Sequence, residues 1–185
     1  MKRKINQIAT VQTGVFAKVS LNPNGVYLQQ SDFNDEGKLC KLLRASIEVK
    51  EANNKHILQA GDLLFACKGS KNQCIEVPAM EYNTVASSSF LVIRITNKEK
   101  VLPAYVAWFL NLPSIQKSLS QQAIGSSIMS IPKNVLGEIE IPIPSVEKQN
   151  QCLQLAELYK REQALYQAII RKRSQLIESK IINNL

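Results

Sequence analysis

The 185-residue sequence has one histidine, His56, and so no second imidazole from which to build a His-based metal site or catalytic triad. Its four cysteines, Cys40, Cys67, Cys74 and Cys152, are scattered. None forms a CxxC pair, and the spacing from Cys67 to Cys74 matches no common zinc knuckle, so they read as reduced, buried thiols. No apolar run approaches the roughly 18 residues of a membrane span. The basic opening MKRKINQIATVQTG lacks the apolar stretch and cleavage site of a signal peptide. Neither GxGxxG nor GxxxxGK[ST] occurs, which removes the argument for a phosphate-cradling glycine loop, and there is no GxSxG for a serine nucleophile. Asn22-Pro23-Asn24-Gly25 lacks the second proline and the aromatic that an amino-methyltransferase needs to hold its target amine; it reads as a turn. Internal repeats and low-complexity segments are also missing.

What is present is basic and 45% hydrophobic, enough for a real core. The net charge of +8 divides into +5 over residues 1–145 and +3 over 146–185. That excess permits phosphate contacts without demanding them. The first fifteen residues read as a short helix or strand leading to a turn at Gly14. Val26 to Gln29 reads as a strand and Asn34 to Gly37 as a polar turn. KLLRASIEV reads as a further strand, and Asn53-Asn54-Lys55 as a loop. Gly61-Asp62 makes a turn before Leu63 to Cys67, a nearly continuous apolar strand of the kind found inside a sheet. IEVP and NTVASSSFLVIRIT supply two more strands. Beyond Pro103 the spacing turns helical, with helices opened by Pro103 and Pro113 and broken at Asn111-Leu112. Gly125-Ser126-Ser127 is a turn, and a short helical piece follows Pro132. EIEIPIP is a strand that Pro142 and Pro144 confine to an edge. Strands, then helices, then one strand indicate an α+β fold.

From Ser145 to Leu185 there is neither proline nor glycine, and apolar residues come in doublets. Leu155, Leu158, Leu165, Ile169 and Leu176 step by three and four, with Glu162 filling one slot, and Ile177 completes a doublet. Ser145 suits the N-cap and Glu147 the first turn. A helix of about 37 residues would be about 55 Å long, more than one small domain needs. Its stripe predicts pairing with another helix, so residues 1–144 form the domain and 145–185 a dimerisation or partner helix.

Three loops carry side chains suited to reading bases. Lys68, Ser70, Lys71, Asn72 and Gln73 follow the central strand with cations for phosphate or guanine and amides for adenine. Gln29, Gln30 and Ser31, and Ser87 and Ser88, stand near strand ends; Thr13 and Ser126 flank turns. Each could also be an ordinary polar loop residue. An acid-x-lysine at Glu48-Val49-Lys50, with Asp35 upstream, offers a competing reading as a Mg²⁺ nuclease. A third reading is a protein adaptor whose helix binds another helical protein without touching DNA.

Taken in order, these features resemble the specificity (S) subunits of type I restriction–modification systems. Ile8 to Gly14 is similar to the family's opening of a target recognition domain. Gly61-Asp62-Leu63-Leu64-Phe65 with Lys68-Gly69 resembles its G-D-[IVL]-L-[FI] strand and loop. Ser89 to Arg94 followed by Tyr105 to Leu110 resembles its strand and helix, and Ile141-Pro142-Ile143-Pro144 to Gln149 the I-P-[LI]-P-x-x-x-x-Q lead into its spacer helix. The sequence departs from the family at Lys148, where Glu is frequent, and in holding one recognition domain and one helix where a full subunit has two of each. The resemblance implies a mixed, twisted-sheet recognition domain with flanking helices, followed by a long helix that pairs as an antiparallel coiled coil. It also implies a non-catalytic chain that binds double-stranded DNA in the cytoplasm, with no cofactor of its own. S-adenosylmethionine, ATP and Mg²⁺ would sit on partner methyltransferase and restriction subunits. Two copies would pair and read a bipartite site.

Overall fold

The computed structural model describes residues 1–49, 51–69, 72–125 and 129–182. The chain divides into two compact units, Met1–Val146 and Glu147–Leu185. In the first, strands β1 (Lys2–Lys4) and β2 (Ala9–Thr13) are joined by a single helical turn, α1 (Ile5–Ile8). Next come β3 (Gly25–Leu28), β4 (Leu63–Ala66), β5 (Cys74–Glu76), β6 (Asn83–Ala86) and β7 (Phe90–Ile95). Helices α2 (Pro103–Leu110), α3 (Pro113–Gln121) and α4 (Lys133–Gly137) then lead to β8 (Glu140–Pro142). The order is α+β, as the sequence indicated.

The main sheet is antiparallel throughout, in the order β2-β7-β4-β5. All four residues of β4 are buried, as its unbroken apolar run requires of a strand covered on both faces. On one face Leu64, Ala66, Phe90 and Val92 pack with Val26, Leu28, Ala86 and Val77. By two-residue alternation Leu63, Phe65, Leu91 and Ile93 lie on the other face, and they are buried too. Proline opens both α2 and α3, where its missing N–H leaves no hydrogen bond unmade. Asn111, capping α2, pairs its side-chain amide with both backbone groups of Cys74, at 2.8 and 2.7 Å, and so completes β5 at the sheet edge. Residues β1 and β8 form a separate antiparallel ribbon, keeping Pro142 off the main sheet.

Three secondary-structure expectations for this unit are corrected. KLLRASIEV is not a strand: Leu42 is 80% exposed, and Ile47 makes only an isolated bridge to Gly25. The segment around Asn53-Asn54-Lys55 is a 3-10 helix, Glu51–His56, rather than an open loop. NTVASSSFLVIRIT is also two strands. The Phe90 N–H donates to the Ser87 carbonyl at 2.9 Å, turning the chain so that β6 pairs with β3 in parallel while β7 enters the main sheet.

The second unit is one helix, α5 (Val146–Ile182), of 37 residues. Glu147 lies in its first turn and Lys180 in its last, each favourable to the helix dipole. Leu155, Leu158, Leu165, Ile169, Leu176 and Ile177 are all more than half exposed. Among the described residues no helix is long and apolar enough to cross a membrane. The four cysteines are free thiols; Cys67 and Cys74 are buried, but Cys40 is exposed, against expectation.

Candidate nucleic-acid interface

Strand register brings four loops to one edge of the domain. Thr13 at the end of β2 stands opposite Leu91, and Ala66 at the end of β4 opposite Phe90, so both strands finish where β7 begins. Because β3 and β6 are parallel, Leu28 and Ala86 finish side by side, and the Ser87 N–H donates to the Leu28 carbonyl at 2.8 Å. The Ser87–Ser89 turn connects β6 to β7. The loops after β2, β3, β4 and β6 therefore leave the fold together.

Gln30 ties three of them. Its side-chain amide donates to the Lys68 carbonyl at 3.0 Å and the Ser89 carbonyl at 3.1 Å. Two carbonyl oxygens facing one end of the side chain require that end to be the NH₂ group. The Cys67 N–H also reaches the Ser89 carbonyl, at 2.9 Å, while burial pushes the Cys67 thiol upward and keeps it neutral, with Lys68 opposing. Gly14 closes the fourth loop against the cluster. A Cβ there would lie 2.1 Å from the Ser87 carbonyl oxygen, so only glycine lets the backbones approach. Residues 129–131 join as well: the Gly69 N–H donates to the Met129 carbonyl and the Ile131 N–H to the Cys67 carbonyl.

The candidate residues then separate by what their side chains do. Thr13, Gln29, Ser31 and Lys68 are exposed on this edge. Ser88 is half-buried, and the Ser87 and Ser89 hydroxyls bond each other at 2.6 Å. Asn72, expected among the base-reading residues, is turned inward: it is buried, its side-chain amide donates to the Ala66 carbonyl, and its backbone carbonyl accepts from the Gln116 amide. Gln73 donates to the Asp35 carbonyl and braces the Asn34–Gly37 turn. Gln30 likewise acts as a brace. Ser70, Lys71, Ser126 and Lys50 lie outside the described residues. Asp35 and Glu48 are exposed, and among the described residues no three His, Cys, Asp or Glu side chains group to hold a metal.

Two features escaped sequence reasoning. Asp62, fully buried, receives Arg94 through two hydrogen bonds of 2.8 and 2.6 Å, and Arg94 also donates to the Ile57 carbonyl. The Asp62 carboxylate holds the guanidinium firmly charged. Gly61 at φ +80° makes the turn that aims Asp62 inward. The signal was legible: an arginine within the otherwise apolar run FLVIRI, and an aspartate before an apolar strand. The second feature is the loop after β2, where Phe16, Val19 and Leu21 are 79–100% exposed around Lys18. The loop is anchored at both ends, by Val15 to the Ala86 carbonyl and by Ser20 to the Ser46 carbonyl. No acidic residue occurs before Asp32.

A family model for the type I restriction modification DNA specificity domain matches residues 1–172. Solved structures of similar fold include the S subunit of a type I restriction-modification system from M. genitalium. It is 16% identical over 87% of this chain and 39% of that one, with a TM-score of 0.58. A chain of a type I R-M system solved for its complex assembly and conformational transition gives 20%, 90%, 44% and 0.68 on the same measures. The HsdS subunit from Thermoanaerobacter tengcongensis gives 18%, 89%, 43% and 0.63. The chain thus spans about two fifths of the length of the solved chains it resembles. No curated protein matches it.

Proposed function

Because the chain belongs to the type I restriction modification DNA specificity family, we propose that it reads a DNA sequence on behalf of catalytic partners and performs no chemistry itself. The observation that carries this reading is the convergence of the loops after β2, β3, β4 and β6 on one edge, tied by Gln30. That edge offers Thr13, Gln29, Ser31 and Lys68 to a duplex, with Ser88 beside them. Hydroxyls and amides suit base edges, and lysine suits guanine or phosphate.

One such domain reads one half-site. Two copies, joined through α5 as an antiparallel pair, would present two identical half-sites in inverted orientation around a gap that is not read. At about 1.5 Å per residue the 37-residue helix is about 55 Å long and sets that gap. Of the second members of the doublets, Ile170 and Ile177 are exposed beside the first. That pair is available to a methyltransferase subunit, with restriction subunits joining the assembly in the cytoplasm.

Selection from a randomised duplex pool tests the reading, followed by affinity measurements across a salt series. A recovered inverted bipartite sequence, bound with a steep fall in affinity as salt rises, is expected. Binding without sequence preference refutes specificity, and no salt-dependent binding at all favours the adaptor. Light scattering that returns a stable monomer at micromolar concentration refutes the homodimer.

A further inference from the structure

The apolar seam of α5 carries its own instructions for how it pairs. From Leu155 to Leu176 it steps by three and four, and two of its positions are charged: Glu162 and Lys172. Both are exposed, and among the described residues neither has a hydrogen bond or ion pair. The helix explains this. Residues three and four away from Glu162 are Leu158, Tyr159, Leu165 and Tyr166, none able to answer its charge. An acid and a base, each unanswered, therefore sit in the stripe that a partner must cover.

Resting on the homodimer reading above, we propose that the partner of this seam is α5 of a second copy, antiparallel, in the one register that places Glu162 opposite Lys172 of that copy. Two-fold symmetry makes the ion pair twice. The same register puts Leu165 opposite Ile169 and Leu158 opposite Leu176 of the second copy, so every layer between and beside the charges is apolar on apolar. The axis passes near Gln167. At the flanks Tyr166 meets its own copy and Tyr159 faces Arg173, so no like charges oppose.

Other arrangements fail on the same residues. A parallel in-register pair sets Glu162 against Glu162 and Lys172 against Lys172. An antiparallel pair slipped by one heptad sets Glu162 against Leu165 or Ser179, and Lys172 against Leu155 or Ile169. Each slip desolvates a charge without a counter-charge, which is how single polar seam positions fix register and orientation in coiled coils. The seam thus excludes its own alternatives at the cost of some stability.

Sedimentation equilibrium on the full-length chain tests this. Glu162→Lys and Lys172→Glu should each weaken the homodimer at least about tenfold, since each creates two like-charge contacts. The doubly exchanged chain, Glu162→Lys with Lys172→Glu, should recover wild-type association. An equimolar mixture of the two single variants should form a one-to-one heterodimer, because both of its seam contacts are again opposite in charge. Both side chains are exposed, so the thermal transition of the recognition domain serves as the control for folding. Single variants that dimerise like the wild type, or a mixture that forms no heterodimer, overturn the register. A wild-type chain that is itself monomeric overturns the homodimer, a separate and distinguishable failure.

Discussion

Replacing Gln30 should loosen the proposed reading edge without removing any side chain proposed to touch DNA. Its amide makes two hydrogen bonds to carbonyls on two different loops, at 3.0 and 3.1 Å. A neutral hydrogen bond contributes about 0.5–1.5 kcal/mol net, so Gln30→Ala should destabilise the domain by about 1–3 kcal/mol. The Ser89 carbonyl keeps its bond from the Cys67 N–H, which holds the loss toward the lower figure. Gln30→Glu preserves the shape but presents acceptors to acceptors, and should do no better than alanine at neutral pH. With a urea m-value of about 1–3 kcal/mol/M, the denaturation midpoint should fall by about 1 M at unchanged slope. Binding to the selected duplex should weaken uniformly, because the Lys68 and Ser87–Ser89 loops lose their mutual placement rather than one base contact. A Gln30→Glu chain as stable as wild type would show that the amide is not the tie. Lost discrimination at a single base pair with unchanged stability would return Gln30 to the base-reading set.

Shortening the helix tests the ruler: deleting Gln163–Ile169 removes one heptad and leaves Glu162 and Lys172 on the seam. A heptad is about 10 Å of helix, or about three base pairs at 3.4 Å each. The selected site should lose that much of its gap, and tight binding to the original gap would refute spacing by α5. His56 should make stability pH-dependent. Burial, then neighbouring Lys55, pushes its imidazole below the ordinary value, and its buried Nδ1 has no hydrogen-bond partner among the described residues. The unfolded chain therefore binds the proton more tightly, and stability falls as pH drops through about 6.5. Thermal midpoints at pH 7.5 and 5.5 should differ less in His56→Gln than in wild type; an equal difference refutes this assignment.

What could be read from the sequence was whatever the chain determines locally. The long helix is legible because nothing in residues 146–182 breaks it and the stripe keeps its period. The Leu63–Ala66 strand is legible because an apolar run that short has few other homes. The errors fall where a distant partner decides. Leu42, Leu43, Ile47 and Val49 have strand composition, but β3 already pairs with β6, and the segment adds only an isolated bridge to it, between Ile47 and Gly25. Ser87–Ser89 reads as the middle of one strand because serine neither forbids nor demands extension. What turns the chain there is the Phe90 to Ser87 bond and the pairing of the two halves with different sheets.

The amides show the same limit from the functional side. Their abundance suggested base reading, yet those placed around the reading edge mostly bind backbone. Gln30 reaches Lys68 and Ser89, Asn72 reaches Ala66, Gln73 reaches Asp35, and Gln116 reaches Asn72 and Leu110. Sequence reveals the donor but not the partner. A brace aimed at a carbonyl is indifferent to which side chain its neighbour carries, because every residue supplies the same acceptor. The loops are therefore held by contacts that a change of outward side chain leaves intact. Thr13, Gln29, Ser31, Lys68 and the Phe16–Leu21 loop can vary while Gly14, Gln30, Asn72 and the Asp62–Arg94 pair keep the edge in shape. In such a domain specificity is separable from stability. Exchanging the outward residues should change which bases are preferred far more than it changes the denaturation midpoint, whereas exchanging the braces should do the reverse.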